Sequence, residues 1–236
     1  MIIEKQSDLK LTRPAVIIDI PLEPTPKKPL PDKNGFAICI TGSPGSGKSS
    51  VLFSLIKSRD AYNKRFNKVI AVIPSSSLNS LKSNPLKSIP SNQLFEDLTY
   101  SNLDDIIEMI EDNREQDMLT LLLLDDVSAE LQDPGILKKM MRLFLNRRHL
   151  KLSIICIAHS LTGKGALPYT VRKNLSHLIA FKPSSAVDVL NTDFLHLPKD
   201  KFAELMAYVY KNRHDHLMIE LNTNMLYKNF NLLSLK

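Results

Sequence analysis

Tryptophan is absent from this chain, cysteine occurs twice, and glycine occurs seven times in 236 residues. Two cysteines, Cys39 and Cys156, are too few for an extracellular disulfide framework. They share no metal-ligand spacing, and each sits in an apolar run that reads as a buried strand, so a reducing compartment is expected. No stretch approaches the roughly 18 consecutive apolar residues of a membrane span. The opening MIIEKQSDLK lacks the apolar centre of a signal peptide. The expectation is a soluble protein without a membrane partner. With 43% hydrophobic and 24% charged residues, the chain fits one ample α/β domain better than two. A net charge of +6 favours a polyanionic partner without requiring one, because solvated lysines account for so mild an excess equally well.

Proline is not scarce, and it is concentrated early. Pro14, Pro21, Pro24, Pro26, Pro29 and Pro31 bar most of residues 1–35 from helix or central strand. That segment reads as an extended arm or linker, with 16–20 (VIIDI) adding one edge strand. It serves either as a flexible tail or as an arm on a neighbouring subunit.

From residue 36 to the end, short apolar runs alternate with helical patterns, as in parallel β-α-β units. Strands are expected at 36–40 (FAICI), 69–73 (VIAVI), 118–124 (MLTLLLL), 152–158 (LSIICIA) and 177–181 (HLIAF). Helices are expected at 49–58, around Leu103, Ile106, Ile107 and Ile110, and from Pro134. Two shorter helices are expected near 184–191 and 199–211. Ser101 and Asp104 are placed as a capping box for the second helix. Asp133 is placed as N-cap of the third, whose apolar face is Leu137, Met140, Met141 and Phe144. Residues 74–93 read as loop with at most one short helix. Alternation about Asn222, Thr223 and Asn224 predicts a C-terminal β-hairpin. The fold class is therefore α/β: a mainly parallel sheet sandwiched by helices, with a C-terminal β-hairpin.

Because glycine is rare, its one concentration is informative. CITGSPGSGKSS (39–50) holds three of the seven glycines and fits G-x-x-x-x-G-K-[ST] over 42–49, after a strand and before a helix. In such a phosphate-binding loop the glycines let backbone N–H groups turn inward and ring phosphates. Gly42, Ser43, Pro44, Gly45, Ser46, Gly47, Lys48, Ser49 and Ser50 are the expected nucleotide-binding set. Lys48 adds a cation at the β- and γ-phosphates, and Ser49 ligates Mg²⁺. Asp125 and Asp126 end the most apolar strand, so they face the same crevice. Asp125 is the expected Mg²⁺ support, and Asp126 the general base that polarises water. The alternative for Asp126 is that it merely opens a turn.

A strand between the loop and this acidic strand, followed by a second carboxylate, resembles the P-loop group with an additional strand and a catalytic acid. NRRHLKLSIICIAHS (146–160) and LPYTVRKNLSHLIAFK (167–182) narrow the likeness. They resemble the FtsK–HerA superfamily, most closely the genome-packaging ATPases of large DNA viruses and virophages. The matching residues are Arg148 and His149, the strand end at His159 and Ser160, then Arg172, Asn174, His177, Ile179 and Phe181. LMIELNTNMLYKNFN (217–231) resembles that family's C-terminal hairpin. Two positions depart from the superfamily. Its sensor is usually glutamine where this chain offers His159 or Ser160, and its catalytic acid is commonly glutamate where this chain has Asp126.

The resemblance implies ATP and Mg²⁺ as cofactors, double-stranded DNA and capsid proteins as partners, and a homo-oligomeric ring of five or six subunits. It implies a host-cytoplasmic or viral-replication-site location, with association with the virion. In a ring, an arginine from one subunit completes its neighbour's site. Arg148 matches that position best, with Arg147 and Arg172 behind it. The same basic run is also simply a helix end whose cations suit the dipole, and Lys138, Lys139 and Arg142 are candidates for DNA phosphates. The rival activities are a small-molecule or nucleoside kinase, a nucleotide-gated assembly scaffold, and a conjugation motor. His196, His214 and His216 show no helical metal-binding spacing, and His214 with His216 reads as an exposed hairpin entry.

Overall fold

The computed structural model describes residues 19–75, 77, 85–163, 166–183 and 187–234. Its strands are β1 (Ala37–Thr41), β2 (Lys68–Val72), β3 (Leu94–Phe95), β4 (Thr120–Asp125), β5 (Leu152–Ala158), β6 (His177–Phe181), β7 (His216–Glu220), β8 (Met225–Lys228) and β9 (Asn231–Leu233). Its helices are α1 (Lys48–Lys57), α2 (Tyr100–Glu115), α3 (Pro134–Asn146), α4 (Tyr169–Arg172), α5 (Val187–Leu190) and α6 (Lys199–Val209). The strands form one sheet in the order β3-β2-β4-β5-β1-β6-β7-β8-β9. From β3 to β6 every pair is parallel, and from β6 to β9 every pair is antiparallel.

The central strands are apolar throughout because both of their faces are covered. Ala37 and Cys39 of β1, Leu122 and Leu124 of β4, and Ile154 and Cys156 of β5 point to one side. There they meet α2 through Leu103, Ile106 and Ile110, α3 through Met140 and Phe144, and α6 through Phe202 and Leu205. Ile38, Ile40, Leu121, Leu123, Ile155 and Ile157 point to the other side, onto Leu52 and Leu55 of α1. Burying one such side chain is worth about 1.5–3 kcal/mol, so both layers contribute to holding the sheet.

The second face shows what the proline-rich segment does over its described part. Leu22 is fully buried and Leu30 nearly so, in the same cluster as α1 and Tyr62. Arg65 donates to Pro24 O and to Thr25 O, and Leu22 N donates to Asp32 O at 2.8 Å. Residues 19–35 are therefore packed on their own domain, which neither the tail nor the neighbour-subunit reading anticipated. Of the expected strand at 16–20, residues 16–18 lie outside the described set, and Asp19 and Ile20 carry no strand.

Local signals explain most helix ends. Asp133 caps α3 by accepting from Gly135 N and Ile136 N, with Pro134 in the first turn, as expected. The capping box assigned to α2 is wrong. Thr99 is the N-cap, accepting from Asn102 N, while Asp104 instead pairs with Lys139 of α3. Within 74–93 the described residues hold two 3₁₀ turns, Pro85–Ser88 and Ser91–Gln93, and Ser75 and Ser77 are helical, beside residues outside the described set. The helix expected near 184–191 begins outside the described residues and continues from α5 as a π turn, Asn191–Leu195. β7 and β8 form the expected hairpin, and β9 extends it to three strands.

Candidate functional site

The carboxyl edge of the parallel strands gathers most of the expected site. β1 lies between β5 and β6 while the chain's next strand, β2, lies beyond β4, so the crevice at the end of β1 is the topological switch point of the sheet. The phosphate loop opens there and feeds α1. Its glycines answer to close packing. A Cβ on Gly42 would sit 2.7 Å from Phe181 Cβ and 2.9 Å from Ser46 Oγ. A Cβ on Gly47, at φ +115°, would sit 3.2 Å from the Phe181 ring. Phe181, at the end of β6, is thus the floor on which the loop rests. The backbone can close onto it only without side chains.

Lys48 is buried at the start of α1, and its Nζ donates to Gly42 O at 2.8 Å and Ser43 O at 3.1 Å. Burial pushes its pKa down, while Asp125 and Asp126 pull it up. Asp125 shows the converse. Burial raises its pKa, a Ser77 hydrogen bond lowers it, the neighbouring Asp126 raises it, and His159 and Lys48 lower it again. A buried cation and a half-buried anion, each strained by desolvation and relieved by opposite charge, form the electrostatic setting that a divalent cation with a phosphate chain matches. Ser46 Oγ is buried without a hydrogen-bond partner among the described residues. Ser49 stands half-buried, one residue beyond Lys48. The donor set fits a magnesium nucleotide.

Asp126 follows β4 with φ +59°, a left-handed turn that is costly for a non-glycine residue and typical of functional strand ends. That turn carries its carboxylate to His159, just past β5, where His159 Nε2 and Asp126 Oδ1 stand 3.1 Å apart. The expected acid and the expected sensor are therefore direct partners, a relation that sequence distance conceals.

Arg148 is not brought to this edge. It follows α3 at the opposite end of the sheet, half-exposed, and pairs with Asp19. Arg147 beside it donates to Gly35 O at 2.7 Å and to Phe144 O. Arg172 is committed further: it donates to Asp193 Oδ2 at 2.8 and 3.2 Å, to Leu161 O at 3.0 Å and to Leu167 O at 2.8 Å. Lys139 is tied to Asp104, whereas Lys138 and Arg142 are exposed on α3. His216 is buried between Phe181 and Phe230, contrary to the expected exposed entry. His214 is exposed but hydrogen-bonds the phosphate loop at Ser46 O. No metal-binding cluster of three or more His, Cys, Asp or Glu occurs among the described residues. None of their helices is long and apolar enough to cross a membrane.

The fold and the loop at its switch point define a P-loop ATPase. More narrowly, the chain belongs to the Poxvirus A32 protein family, whose model matches residues 28–230. No curated protein matches it in sequence. Among solved structures it is similar to the DNA-packaging ATPase B204 of Sulfolobus turreted icosahedral virus. That match has a TM-score of 0.59 at 12% identity and covers 83% of this chain and 97% of that one. The genome packaging NTPase B204 of Sulfolobus turreted icosahedral virus 2, in complex with ATP-gammaS, matches at 0.57 and 13% identity, covering 82% and 96%. EssC ATPases 2 and 3 from Geobacillus thermodenitrificans match at 0.59 and 16% identity, covering 97% of this chain and 48% of that one. At these identities the likeness is one of fold.

Proposed function

We propose that this protein is an ATP-driven double-stranded DNA translocase that packages viral DNA into a capsid, working as a homo-oligomeric ring. The observation that carries the reading is the meeting of Lys48, Asp125 and the adjoining Asp126–His159 pair at the carboxyl edge of the parallel strands. A kinase needs an acceptor pocket and no water-activating acid, whereas this site pairs a carboxylate with a polar sensor. The family membership and the likeness to B204, a DNA-packaging ATPase, support the packaging role.

In this account the loop amides and Lys48 hold the β- and γ-phosphates, and Ser49 and Asp125 hold Mg²⁺, which when bound neutralises charge on those phosphates. Asp126 accepts a proton from the attacking water. His159, with its Nε2 3.1 Å from that carboxylate, orients it and stands where a glutamine usually serves as sensor. Arg148 enters the adjacent subunit's site. Arg172 is less suited to that role because Asp193 and two carbonyls already hold its guanidinium. The arrangement supplies DNA contact through exposed cations such as Lys138 and Arg142, so binding is directed at the DNA backbone.

Steady-state ATP hydrolysis with and without long double-stranded DNA tests the reading. DNA is expected to raise turnover several-fold in the wild type, with salt reducing the stimulation, and Lys48→Ala and Asp126→Asn are expected to be inactive. Turnover that ignores DNA, or that survives Asp126→Asn, would contradict it.

A further inference from the structure

Across the phosphate loop from the acids lies a second group of charges. β7 runs antiparallel to β6, so the turn that enters β7 returns to the carboxyl edge. There His214 Nδ1–H donates to Ser46 O at 2.8 Å, and a Cβ on Gly45 would lie 3.4 Å from an Arg213 guanidinium nitrogen. Lys182, the first residue past β6, shares with Arg213, Pro183 and residues 43–46 a cavity of about 390 Å³. Lys182 and Arg213 are both exposed, and among the described residues neither makes a hydrogen bond or ion pair. Two unpaired cations therefore face one wall of the loop.

Their support is built in. Buried Asp215 accepts from Asn212 N at 2.9 Å, from Asn229 Nδ2 at 2.7 Å and from Lys228 Nζ at 3.2 Å. Asn229 in turn accepts from His216 N at 2.9 Å. The turn carrying Arg213 is thus pinned both to the C-terminal hairpin and, through His214, to the loop itself.

The sheet order fixes which part of a nucleotide these cations meet. Asp125, Asp126 and His159 stand at the ends of β4 and β5, on one side of β1, while Lys182 and Arg213 stand at β6 and β7, on the other. A nucleotide whose terminal phosphates meet the acids' metal directs its nucleoside end toward β6. We infer that Lys182 and Arg213 form an anion subsite for the α-phosphate of the bound nucleotide, made within a single subunit. The inference rests on reading residues 42–50 as the nucleotide site. Arg213 supplies the planar, forked donors suited to phosphate oxygens, and Lys182 supplies a point charge.

Calorimetric titration of the full chain with AMP, ADP and ATPγS separates the two claims. Arg213→Ala is expected to weaken all three ligands by a similar factor, about tenfold or more for a charge-assisted contact, with Arg213→Lys recovering part of the loss. Lys182→Ala is expected to act in the same direction. Lys48→Ala is expected to weaken ADP and ATPγS while sparing AMP. If Arg213→Ala leaves AMP affinity unchanged, or if the wild type does not bind AMP, the subsite is wrong even where ATPγS binding falls. If Lys48→Ala leaves ADP and ATPγS binding intact, the nucleotide-site reading itself fails.

Discussion

Removing the Arg172 guanidinium should damage the fold before it damages the chemistry. Its side chain is 13% exposed and that of Asp193 is 19% exposed, with Nη2 and Oδ2 at 2.8 Å. The other donors satisfy Leu161 O and Leu167 O, tying α4 to the segment after β5 and to the π turn after α5. Arg172→Ala leaves the half-buried Asp193 without its counter-ion and two carbonyls without their donor, a combined loss of about 3–5 kcal/mol. For a chain of this size that corresponds to a fall in Tm of about 6–20 °C. Arg172→Met combined with Asp193→Leu replaces the pair by apolar volume. It should recover all but about 1–3 kcal/mol, the remainder reflecting the two carbonyls that lose their donors. Thermal denaturation of the wild type, both single variants and the double variant measures each quantity. An Arg172→Ala protein that melts with the wild type and loses only ATP turnover would refute the argument and restore Arg172 as a residue acting in trans.

Three further outcomes follow from the same structure. His177 is buried and its pKa is pushed down to about 4 by desolvation, with Lys28 contributing. Because the unfolded chain binds that proton near pH 6.5, the stability held above 6.5 should be lost as pH falls toward 4, at up to about 1.4 kcal/mol per unit. His177→Gln should flatten that slope in pH-dependent melting, and an unchanged slope would count against it. Cys39 and Cys156 face each other across β1 and β5, both fully buried, with the Cys39 thiol pushed up by its hydrogen bond to Cys156 and by burial. Neither should react with a thiol reagent until guanidinium is added, and rapid labelling of the native protein would show the strands to be open. If His159 orients Asp126, His159→Gln should retain more turnover than His159→Ala, and equal losses would remove the sensor role.

The parts of the site that local chemistry dictates were legible in the sequence. The phosphate loop needs glycine to close on Phe181, the acids must end a strand, and Asp133 with Pro134 marks a helix start wherever it occurs. What the sequence withheld depends on topology. Asp126 and His159 are 33 positions apart and meet only because β4 and β5 are neighbours. Arg213 and His214 reach the loop only because β7 runs antiparallel to β6, which no periodicity announces. The capping box failed for a local reason: Ser101 and Asp104 have the right spacing, but Thr99 lies two residues earlier and captures the first turn. The proline-rich segment misled because its composition describes a backbone without helix, and says nothing of Leu22 and Leu30 filling the face beside α1.

Movement along DNA is the central claim, and displacement of a third strand tests it most directly. A labelled oligonucleotide bound as a triplex on long linear double-stranded DNA should be released by the wild type with ATP, and retained with ATPγS or with Lys48→Ala. Release that is independent of hydrolysis, or no release despite DNA-stimulated turnover, would contradict the account.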